Sequence, residues 1–114
     1  MFVGPLIKDG FTISAYISAH GPWPAFNITY RPATAEKVYD WQAVAFGGNG
    51  AKRIGAAVAL LTDQLVAWDI PATGPGETLP CLPEHWKKLP HPQLEKILDL
   101  VTGYAIPEAD PKNG

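Results

Sequence analysis

The sequence predicts an α+β fold: an N-terminal β-hairpin or small antiparallel sheet packed on an antiparallel helix pair, with two further short C-terminal helices. Three observations predict it. Two early segments alternate apolar with polar residues, two later ones repeat apolar residues at helical spacing, and eight of the twelve prolines fall after residue 70. A chain of 114 residues is one domain's worth. At 46% hydrophobic and 18% charged, it carries enough apolar surface to offset the entropy of ordering, which excludes disorder of the whole chain.

The first strand reads from Phe11 to Ser18, with Phe11, Ile13, Ala15 and Ile17 on one face and Thr12, Ser14, Tyr16 and Ser18 on the other. Phe26–Arg31 repeats the alternation through Phe26, Ile28 and Tyr30, and period two with β-branched and aromatic residues marks half-buried strands. Ala19–Ala25 holds too much Pro and Gly to continue either one, so it reads as a hairpin loop. Two strands alone are marginally stable, so the sheet needs helices against it. Thr34 then reads as a helix N-cap with Glu36 in the first turn, and Val38, Trp41 and Ala45 fall on one face. Gly47, Gly48, Asn49 and Gly50 end that helix. A longer one is expected from about Lys52 to Trp68, because Ile54, Val58, Leu61, Leu65 and Trp68 step by four, three, four and three. Its Gly55, Ala56, Ala57 and Ala59 are small enough to let another element approach. Residues 70–80 read as a loop, Pro83–Leu89 as a short helix with Pro at its first position, and about Gln93–Thr102 as a last helix stopped by Gly103. The proline skew divides the single domain (residues 1–114) into a compact part at about 6–70, a Pro-rich loop and short-helix arm at 71–103, and a mobile tail at 104–114.

Charge and cysteine content narrow the function. Nine basic against eleven acidic residues give a net charge of −2. The densest basic pairs, Lys52–Arg53 and Lys87–Lys88, do not form the clustered field that nucleic acid requires. The lone Cys81 has no partner for an internal disulfide, which fits a reducing cytoplasm. No basic region precedes an apolar run at the N-terminus, so no signal peptide is expected. Residues 11–30 are uncharged but broken by Gly21, Pro22 and Pro24, so no spanning helix is expected either.

No catalytic or cofactor motif has its required context. Gly47–Arg53 lacks the spacing and the Ser or Thr of a phosphate-binding loop and follows a helix, so it reads as a helix–helix connector. Cys81 and His85 lie four apart, but His20 and His91 are the other histidines and zinc wants four ligands. Ser14 and Ser18, mid-strand, sit on no strand-to-helix elbow. Asp63 with Asp69, and Glu95 with Asp99, read as solvated helix faces and caps. No cofactor, no metal and no enzymatic activity are expected. The four tryptophans are the remaining signal: most buried tryptophans are core, yet a domain this small struggles to hide four, which leaves one or two for a contact surface.

From Arg31 onward the order of features resembles the tail assembly chaperones of long-tailed bacteriophages and prophages. The strand Phe26–Pro32 leads into a Glu/Lys-bearing helix, and the second helix closes on Val66-Ala67-Trp68-Asp69. Gly76-Glu77-Thr78-Leu79-Pro80, Glu84 and the Pro90-broken approach to the helix at Leu94–Val101 follow. The likeness covers about residues 24–103 and carries no catalytic signature; the three prolines after Asp69 and the tail from Ile106 depart from it. It implies a non-enzymatic protein of the host bacterial cytoplasm that binds apolar segments of the phage tape-measure protein, or other tail proteins, with room for a homo-oligomer. A helical surface rich in aromatics and small residues suits that task. The candidates for that surface are Trp41, Phe46, Leu61, Trp68, Trp86 and Leu98, for each of which ordinary core packing is the competing reading. The alternative is a small virion subunit, a tail or head–tail connector protein, whose loop at 19–25 and Pro-rich termini order only in the assembly.

Overall fold

The computed structural model describes residues 11–47, 49–72 and 76–109. The elements run β1 (Ile13–Ile17), β2 (Phe26–Tyr30), α1 (Ala35–Ala45), α2 (Gly50–Gln64), β3 (Leu65–Trp68), α3 (Pro83–Trp86) and α4 (His91–Thr102). The fold is α+β, with a three-stranded antiparallel sheet in the order β1-β2-β3.

Alternation in β1 and β2 does what period two dictates. Ala15, Ile17, Phe26, Ile28 and Tyr30 are buried on one face, and register pairs Ala15 with Ile28 and Ile17 with Phe26. The turn between them is held at both ends. His20 and Trp23 exchange backbone hydrogen bonds of 3.0 and 3.1 Å across Gly21, whose φ of +58° a side chain would resist. The buried Gln93 amide donates to the carbonyls of Ser18 (3.2 Å) and Pro24 (3.0 Å). The loop expected to order only in an assembly is therefore tied to α4 within the chain itself.

The long helix expected to Trp68 ends at Gln64, and its last four positions are strand β3. Ile28 pairs with Trp68 and Thr29 with Ala67, but Tyr30 pairs with Leu65, leaving Val66 as one extra residue. That irregularity puts Leu65 and Trp68, three apart, on the same buried side. Three-residue spacing between buried residues imitates a helix, and here it arises from a bulged strand.

Gln64 fixes the corner where α2 becomes β3. It is 4% exposed. Its amide donates to the Arg31 carbonyl at 2.8 Å, its oxygen accepts from Lys37 Nζ at 3.0 Å, and its backbone carbonyl accepts from Arg31 N at 2.6 Å. Four elements meet on this one side chain and its backbone, and its polar atoms are partnered as burial requires.

The predicted stripe of α4 is buried as Leu94, Ile97, Leu98 and Val101, joined by Leu100, and Gly103 caps the helix at φ +90°. These residues belong to the same core as the sheet, Trp41 and Ala45 of α1, Ala57, Leu60 and Leu61 of α2, and Trp86 of α3. The expected division into a compact part and an appended arm is not how the core is built, because α4 supplies one wall of it. A hydrogen bond of 2.8 Å from Tyr16 N to the Glu108 carbonyl brings the chain after α4 back along β1; the rest of the expected mobile tail, residues 110–114, lies outside the described residues. Arg53 binds Glu95 at 2.6 Å while its guanidinium lies 5.3 Å from the centre of the Trp41 ring, linking α1, α2 and α4.

Two measurements check this account. Gln64→Leu strands the Arg31 carbonyl and is expected to lower stability by about 1–3 kcal/mol in denaturant unfolding; a loss below about 0.5 kcal/mol, the ordinary surface-mutation scale, would contradict the corner's role. Burial raises the Tyr30 phenol above its ordinary value, so the native state holds that proton more tightly than the unfolded chain does. The stability from this group is fully present below about pH 10 and is lost as pH rises through the native value. Tyr30→Phe is expected to flatten that alkaline decline, and an unchanged profile would contradict it.

Candidate functional site

The outward side of α1 carries the most exposed aromatic surface of the described helices. Burying Trp41 and Ala45 turns Tyr39, Ala43 and Phe46 to solvent, since a helix that buries one stripe presents the opposite one. Tyr39 is 69% exposed and Phe46 75%. Tyr104, 70% exposed just past the end of α4, joins this stripe: Gln42 Nε2 donates to its hydroxyl. A groove of about 290 Å³ runs beside them, lined by Ala33, Val38, Tyr39, Thr102 and Tyr104. Three aromatics exposed to this degree present roughly 300–500 Å² of ring surface, the scale at which an exposed patch marks a contact site.

Of the sequence candidates, Phe46 alone lies on this surface. Trp41, Leu61, Trp68, Trp86 and Leu98 are buried in the core. The core-packing reading holds for those five because the helical faces of Trp41, Leu61, Trp86 and Leu98 converge on the sheet and Trp68 lies on its inner side. Trp68 further donates its indole N–H to the Leu79 carbonyl at 2.6 Å and meets the edge of Phe26, so it is a structural anchor. Tyr39 and Tyr104 are the residues that sequence reasoning missed. Tyr39 carried a usable signal, being seven positions from Phe46 and opposite Trp41; Tyr104, from a distant element, carried none.

Several of the chemical candidates make structural contacts. Asp69 accepts from Asn27 N at 2.6 Å and Asn27 Nδ2 at 2.9 Å, locking β3 to β2. Glu95 holds Arg53. Asn49 caps α2 by accepting from Lys52 N at 3.0 Å, the capping role expected of a helix–helix connector. His85 Nδ1 lies 2.7 Å from the Pro80 carbonyl. Burial pushes the Cys81 thiol above its usual value, and the Trp86 indole N–H facing the sulfur only partly opposes this. That N–H is buried without an oxygen or nitrogen acceptor. A thiol so held is a poor nucleophile at neutral pH. A shallow cleft of about 490 Å³ crosses the outer sheet face between Asp69 and Glu108, over Ser14, Asn27 and Thr29. Its polar lining is Ser14, Thr29, Glu108 and the Asn27–Asp69 pair. Among the described residues no three His, Cys, Asp or Glu side chains group to hold a metal ion, and no helix is long and apolar enough to cross a membrane.

Compared with known proteins, the chain matches no family model, no curated protein and no solved structure.

The surface and core aromatics should separate in a stability measurement. Phe46→Ser is expected to change unfolding free energy by no more than about 0.5 kcal/mol, whereas Trp68→Ala is expected to cost about 3–5 kcal/mol. A large loss at Phe46 would mean that it packs within the fold and is unavailable to a partner.

Proposed function

We propose that the chain is a non-enzymatic assembly chaperone that shields apolar helical segments of a phage tape-measure protein while a tail is built. The observation that supports this best is the uncharged aromatic stripe of α1, Tyr39 and Phe46 joined by Tyr104. An amphipathic helix recognises its groove through residues at i, i+3, i+4 and i+7, and a stripe flanked by a shallow groove of mixed lining can accept that spacing. Aromatic rings supply large contact area at low entropic cost, which suits transient shielding of a long apolar chain. The Glu/Lys-bearing helix α1 and the apolar helix α4 fit the same reading, whereas Val66-Ala67-Trp68, expected to close the second helix, lies in strand β3.

The test is co-expression of the full chain with a tape-measure fragment from the same genome. Wild-type chain is expected to raise the soluble yield of the fragment several-fold and to copurify with it, while Tyr39→Ser with Phe46→Ser loses both effects. No rescue and no complex would sink the proposal. Finding the chain in mature virions by mass spectrometry would favour the tail or head–tail connector subunit instead, since an assembly chaperone leaves before the particle matures.

A further inference from the structure

We infer that the α1 stripe also binds a second copy of this chain, α1 antiparallel to α1 about a two-fold axis, so that the shielding surface is itself shielded until a partner arrives. This rests on the stripe being a contact surface, as proposed above, and adds a specific occupant.

Two features select that occupant. The first is charge. Glu36 and Asp40 stand exposed beside the start of the stripe, and Lys52 stands exposed just beyond its end, near the start of α2. None of the three enters an ion pair among the described residues. An antiparallel two-fold contact sets the acidic start of each stripe toward the basic end of the other, and a parallel one sets acid on acid. It also opposes the two helix dipoles favourably. Tyr39 of one copy then faces Phe46 of the other, with the small Ala43 at the centre allowing close approach.

The second feature is area. A standard stable interface buries roughly 800 Å² on each partner, and the stripe's aromatics supply roughly half of that. The contact is therefore a weak one that forms with concentration and yields to a better-fitting apolar helix.

Sedimentation velocity of the full chain from about 5 to about 500 µM, the span over which a micromolar contact titrates, is expected to shift from monomer to dimer. Phe46→Asp is expected to remain monomeric throughout with an unchanged far-UV circular dichroism spectrum. Glu36→Lys and Lys52→Glu are each expected to weaken association several-fold, and the two together to restore it. A wild-type monomer at every concentration overturns the inference, as does a dimer insensitive to Phe46→Asp or a double charge swap that fails to restore association. These outcomes stand apart from the chaperone test. A monomer that still rescues the tape-measure fragment removes only the dimer, and a dimer that rescues nothing removes only the chaperone.

Discussion

The corner at Gln64 is the constraint on which the rest of the structure depends. A helix and a strand meet there without a connecting loop, so the last turn of α2 must end where β3 begins to pair with β2. The buried amide satisfies the Arg31 carbonyl, and Arg31 N satisfies the carbonyl of Gln64. An apolar residue at this position would leave the Arg31 carbonyl without this donor, at a cost of about 1–3 kcal/mol. With the corner set, β2 becomes the central strand, Trp68 falls on the inner face, and α2 lies where its Ala57, Leu60 and Leu61 can close over the sheet.

Much of this was legible in the sequence, and the part that was not has a specific cause. The alternation in β1 and β2 and the stripes of α1 and α4 each reflect a single regular period, so pattern and structure agree. The stretch from Leu65 to Trp68 has no regular strand period, because Val66 is an extra residue opposite β2. Its two buried positions fall three apart, which continued the spacing of α2 without interruption. The marginal stability of a two-stranded hairpin reads as a need for packed helices, and a third strand answers it as well. The arm inferred from proline content failed for a related reason. Prolines mark where regular elements stop, but they say nothing about whether the next element returns to the same core, and α4 does.

The candidate site was legible only in part because aromatic residues on helices signal burial and contact equally well. Five of the six candidates sit on faces that converge on the sheet and are consumed by the core. Phe46 differs because it follows the last turn of α1, displaced from the Trp41–Ala45 face. What singles out the candidate surface is the conjunction of Phe46 with Tyr39 and Tyr104, and the last of these reaches α1 because Gly103 turns the chain at the end of α4. No sequence period connects residues on two elements so far apart.

The sheet offers another way to recruit a protein, strand addition at an open edge. Here that route is narrowed from both sides. The Tyr16 N–H on the outer edge of β1 is taken by the Glu108 carbonyl. β3 is four residues long, with its Trp68 ring anchored to the Leu79 carbonyl of the loop that returns beside it. Each device spends chain length on covering backbone that would otherwise pair without selectivity. Among the described residues the α1 stripe receives no such cover. Its exposed rings carry no backbone donors or acceptors that would bind any extended chain; they select for apolar shape, and the charges at either end of the stripe select for orientation. A fold that covers part of its sheet edge and leaves the α1 face exposed among the described residues is consistent with the helical, apolar partner proposed above.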